Sequence, residues 1–139
     1  MEFVGSIRSS AIASQFFERF KSIFPEFELT LMGEWEPLKK KFDLSEACIE
    51  WERNRGGTEA DYGHHIFYGR KPAPFYVLTN WHGKGTHKRW HDAIAVMFDQ
   101  DLWRERKISD MSQRAMALLR ELSLLSASLY GKIFTRSEF

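Results

Sequence analysis

The run His65-Ile66-Phe67-Tyr68-Gly69-Arg70-Lys71-Pro72-Ala73-Pro74-Phe75-Tyr76-Val77-Leu78-Thr79-Asn80-Trp81 decides the fold. Its two ends, His65 to Tyr68 and Phe75 to Trp81, carry the aromatic and β-branched residues that fit a pleated, half-buried surface. The link between them, Gly69 to Pro74, is short and holds two prolines, which suits a hairpin-like connection. A third strand is predicted from Ala93 to Phe98. Ile94, Val96 and Phe98 alternate there with Ala93, Ala95 and Met97. Both faces are apolar, so a central position under a helix is expected. Connections this local favour antiparallel pairing.

Upstream, residues 10–24 read as a helix. Ile12, Phe16, Phe20 and Phe24 recur every four residues with Ile23 beside them, Ser9 or Ser10 can cap the start, and Pro25 stops it. Phe27 to Met32 then alternates, with Phe27, Leu29 and Leu31 on one side and Glu28 and Thr30 on the other, the pattern of a half-buried strand. Residues 44–54 predict a second helix. Asp43 and Glu46 have capping-box spacing, and Leu44, Ala47, Cys48 and Trp51 share a face. Asn54 and Gly56-Gly57 are expected to end it. A strand through Cys48 to Trp51 is the competing reading.

Downstream, residues 111–130 form the strongest helical pattern. Met111, Ala115, Leu118, Leu122, Leu125 and Leu129 make the stripe, Met116 and Leu119 widen it, and Arg114, Glu121 and Ser128 mark the wet side. Ser109 or Asp110 can cap it and Gly131 can end it. Lys132 to Phe134 is a candidate short strand. The expected order is α-β-α-β-β-β-α. The class is α+β: an antiparallel sheet of about four strands with helices packed on it, in a single domain over 1–139.

A chain of 139 residues leaves no room for two ordinary domains. With 43% apolar residues, 28% charged and twelve Phe, it can bury a core without disulfides. The single cysteine, Cys48, excludes an internal disulfide. The opening Met-Glu-Phe-Val-Gly-Ser-Ile-Arg has no basic start followed by an apolar run, so no signal peptide is expected. No apolar run is long enough to span a membrane, and the cytoplasm is the expected location. Net charge is +1, which argues against a general nucleic-acid binder. The charge is uneven, however: residues 26–61 hold ten acids and five bases, and residues 62–107 hold eight bases and four acids.

Four constellations carry residue types suited to chemistry. His82, His87 and His91 with Asp92, and the pair His64-His65, are of metal-ligand type. No H-E-x-x-H pattern occurs, and Lys84, Lys88 and Arg89 repel a cation, so no metal site and no cofactor are expected. Gly83-Lys84-Gly85-Thr86 has its lysine between the glycines and lacks the phosphate-loop order. Glu34, Glu36, Glu46, Glu50, Glu52, Glu59 and Asp61 are numerous, but acid–base work needs two of them in one cleft, and spacing selects no pair. Cys48 lies on an apolar helix face, as a buried inert thiol would. No catalytic residues are therefore assigned, and a non-enzymatic protein is expected.

The Phe-rich helix ending at Pro25, the aromatic strands around Phe75-Tyr76-Val77 and Trp81, and the Leu-rich helix ending Leu129-Tyr130-Gly131 carry a resemblance over most of the length. The chain resembles the small α+β immunity proteins that bacteria encode beside polymorphic toxins and type VI or contact-dependent effectors. That resemblance implies a compact cytosolic protein that neutralises a cognate toxin by direct binding, with no shared catalytic residues. An acidic face would steer association with a basic toxin cleft. The first expected contact surface is Glu34, Trp35, Glu36, Glu46, Glu50 and Asp61. The second is the basic loop with His82, Lys84, His87, Arg89 and Trp90. The alternatives are an adaptor or chaperone-like interaction module and a small nucleic-acid-binding regulatory protein, the latter resting on basic residues interleaved with Tyr76, Trp81, Trp90 and Trp103.

Overall fold

The computed structural model describes residues 9–52, 55–57, 60–81, 93–104 and 110–126. It is α+β, in the order α1 (Ser10–Ile23), β1 (Glu28–Gly33), β2 (Lys40–Lys41), α2 (Leu44–Glu52), β3 (Arg55–Gly57), β4 (Ala60–Lys71), β5 (Phe75–Trp81), β6 (Ala93–Phe98), α3 (Asp101–Arg104) and α4 (Met111–Ser126). Among the described residues the sheet runs β2-β1-β4-β5-β6, every pair is antiparallel, and β3 pairs with the start of β4.

Local chemistry sets most of the boundaries. The Ser9 hydroxyl accepts from Ile12 N at 3.2 Å and caps α1. The Asp43 carboxylate accepts from Glu46 N at 3.0 Å and caps α2, which settles that segment as a helix. The hairpin from β4 to β5 turns through Pro72, Ala73 and Pro74, as expected.

The core lies between one face of the sheet and the helices. Phe16, Phe17 and Phe20 of α1 meet Trp51 of α2 and Phe67, Phe75 and Phe98 of the sheet, with ring centroids 5.1 to 6.5 Å apart. Leu102, Met111 and Leu118 bring α3 and α4 into the same cluster. Each buried ring contributes roughly 1.5–3 kcal/mol through apolar area removed from water, so these rings hold the layers together.

Several expectations are corrected. The sheet has more strands than about four, because β2 and β3 are too short to show a period. Gly56 and Gly57 pair with Asp61 and Ala60 in β3; they do not simply end α2. The strand expected at His65 begins at Ala60. β6 is the last strand of the described order and not a central one. Leu29 and Leu31 were expected on one side of β1. Register shifts at Glu28/Leu29 and Leu29/Leu31 part them: Leu29 packs on the core, and Leu31 pairs with Tyr68 on the opposite face. Met32 takes the buried position. Leu44 and Met116 are exposed, so neither belongs to the buried stripe of its helix. Ala13 and Phe17, off the expected stripe of α1, are buried. Gly131 and residues 132–134 lie outside the described residues. No described helix is long and apolar enough to cross a membrane.

Candidate functional site

Two features stand on opposite sides of the sheet at its β1–β4 side. The first is the face that faces away from the helices. Leu31, Tyr68, Tyr76 and Met97 are consecutive register partners across β1, β4, β5 and β6, so their side chains form one row. The Tyr68 and Tyr76 rings are 4.8 Å apart. Ile66 and Leu78 sit beside that row. Ile66 is buried yet stands outside the core cluster that takes in α1, α2, α3 and α4, so this face belongs to the other side of the sheet.

The loop after β1 reaches the same face. Trp35 is 63% exposed, and its ring lies 5.8 Å from that of His64. His64 is itself fixed by Nδ1, which donates to Asn80 Oδ1 at 2.6 Å across the β4–β5 pair. The Tyr76 hydroxyl is pushed above its usual range, first by burial, then by the Glu36 carboxylate and by Tyr68. The Glu36 carboxylate is thus among the charges that act on the tyrosine row.

The second feature is a depression of about 340 Å³ on the helical side, lined in part by Met32, Glu34, Trp35, Lys40, Glu50 and His65. His65 follows His64 on β4 and therefore points the other way, into the inner face, where it is 3% exposed. Its Nε2 lies 4.0 Å from Glu34 Oε1 and 3.6 Å from Glu50 Oε2. Lys40 of β2 bridges Glu46 at 2.9 Å and reaches Glu50 at 3.8 Å. Two carboxylates, an imidazole and an ammonium thus share one recess, an arrangement able to move a proton or to hold a divalent ion.

The expected acidic surface is consequently divided. Trp35 meets His64 on the outer sheet face and also lines the depression, and Glu36 follows it in the loop. Glu34 and Glu50 turn to His65, and Glu46 joins them through Lys40. Asp61 has its backbone in β4, while its side chain lies outside the described residues. The second expected surface, His82, Lys84, His87, Arg89 and Trp90, lies outside them too. Sequence reasoning missed His65 as the partner of Glu34 and Glu50. The only signal was strand alternation, which sends adjacent histidines to opposite faces. Cys48 is half-buried, and burial pushes its thiol above the usual range, in keeping with an unreactive cysteine.

No family model, no curated protein and no solved structure matches this chain.

Proposed function

We propose that this chain is a non-enzymatic protein-binding inhibitor, an immunity protein that neutralises a cognate bacterial toxin through the sheet face that turns away from the described helices. One observation carries the reading: a largely exposed tryptophan, Trp35, is held against His64 at the margin of a continuous row of Leu31, Tyr68, Tyr76 and Met97. Aromatic residues and methionine are enriched in protein interfaces, and a pre-positioned tryptophan loses little freedom on docking. Glu36 adds a carboxylate at this margin and favours a partner with a basic group opposite it.

The experiment is co-expression with the product of the adjacent reading frame. Growth rescue and co-purification are expected with the wild-type chain, and both are lost with Trp35→Ala. A harmless neighbour, or full rescue by Trp35→Ala, overturns the reading.

A further inference from the structure

We propose that Glu34, Glu50 and His65 form a binding site for one divalent transition-metal ion of the zinc class. The inference does not rest on the protein-binding reading: its three ligands lie on the helical side of the sheet, in a depression whose rim Trp35 shares.

The donor set fits the ion. Imidazole nitrogen and carboxylate oxygen are ordinary zinc ligands, and three protein ligands leave a fourth position for water or an incoming group. The spacing fits as well. A tetrahedral zinc ion with bonds of about 2.0–2.1 Å sets its ligand atoms roughly 3.3 Å apart. Here one donor atom from each residue lies within 4.8 Å of the other two, and the Nε2-to-carboxylate distances are 3.6 and 4.0 Å. Rotations of the two glutamate side chains that bring the donor atoms together by up to about 1.5 Å close that difference.

The ligands are also carried by separate, well-anchored parts of the fold. His65 is on β4, buried and directly opposite Thr79 in the β4–β5 register. Glu50 is in the last turns of α2, immediately before Trp51, whose carbonyl receives the Trp81 indole. Glu34 follows the final residue of β1. An ion there would tie α2 to the sheet at the end where the depression opens, and the depression gives solvent a route to it. Lys40 is the built-in competitor. Its ammonium lies 3.8 Å from Glu50, so an entering cation must leave Lys40 to Glu46, 2.9 Å away.

The test uses the full chain, freed of metal with a chelator and dialysed. Zn²⁺ is titrated calorimetrically, and Co²⁺ is followed by its visible absorption, which reports a tetrahedral nitrogen–oxygen set. One ion per chain is expected. Glu34→Gln and Glu50→Gln, which keep shape and remove charge, should each weaken binding by roughly tenfold or more. His65→Asn should abolish the cobalt band. Lys40→Gln should tighten binding severalfold, a gain that general loss of structure would not produce. Circular dichroism verifies the fold of each variant. Should His65→Asn fail to fold, the two glutamine variants and Lys40→Gln decide. Absence of binding to the wild-type chain overturns the proposal, as does an unchanged affinity and cobalt spectrum in the glutamine variants.

Discussion

The indole Nε1 of Trp81 donates a 2.6 Å hydrogen bond to the backbone carbonyl of Trp51. That bond joins the end of β5 to the last turn of α2, where helix carbonyls have no partner within the helix. The two rings also touch, with centroids 5.6 Å apart, and both residues are fully buried. Trp81→Phe keeps most of the apolar volume but strands the Trp51 carbonyl. The expected cost is about 1–3 kcal/mol. Trp81→Ala adds a cavity and should cost roughly 3–5 kcal/mol. Urea unfolding of the two variants checks the order: a Trp81→Phe chain as stable as wild type would show that the hydrogen bond contributes nothing, and equal losses would show that the cavity adds nothing.

Gly69 marks a close approach. A Cβ there would overlap the Phe75 ring and the Glu28 carbonyl oxygen, the latter part of the neighbouring strand's backbone. Gly69→Ala should therefore destabilise the chain by about 1–3 kcal/mol or more through overpacking. Gly33→Ala meets only the end of the Leu38 side chain, which can swing away, and should cost less. Thermal unfolding of the pair provides the comparison.

Glu26 and Arg114 fasten the turn after α1 to the first turn of α4. Arg114 Nη1 donates to both carboxylate oxygens, at 2.9 and 2.7 Å. The Arg114 hydrogen bond holds the Glu26 carboxyl below its usual value. A lowered folded-state pKa gives stability that is fully present above the unfolded value, near 4.5, and is lost as pH falls through the folded one. Both groups are partly in solvent, so screening keeps the contribution to no more than about 1 kcal/mol. Arg114→Met should be less stable than wild type at pH 6, and the gap should narrow toward pH 3. Denaturant titrations at the two pH values measure it.

Trp35 contacts His64 on the outer sheet face and also lines the depression, whereas Glu46 is held by Lys40 on the α2 side. If the proposed toxin docks on this face, Trp35→Ala should weaken its binding by about 2 kcal/mol or more, as loss of an aromatic anchor does. It should leave the melting temperature nearly unchanged, since the side chain is mostly in water. Glu46→Lys should leave affinity within a few tenths of a kcal/mol of wild type. Calorimetric titration of both variants against the toxin tests the assignment. The reverse pattern would move the interface to α2.

The sequence by itself determined the local elements. Ser9 and Asp43 marked helix starts because a cap is a contact three residues long. The Phe16 and Phe20 spacing marked the buried side of α1, and the stretch from His65 to Trp81 marked a hairpin, since neighbours along the chain make those contacts. Tertiary structure alone decided the rest. The bulges of β1 arise from pairing with β4, a partner more than thirty residues away, and they split Leu29 from Leu31. Only the stacking of α1, α2 and α4 on one face left Tyr68 and Tyr76 on the other. Glu34, Glu50 and His65 come from β1's end, α2 and β4, so no spacing along the chain could pair them. Their meeting depends on the long-range register that seats α2 over the inner face, which is a property of the packed sheet and not of any segment.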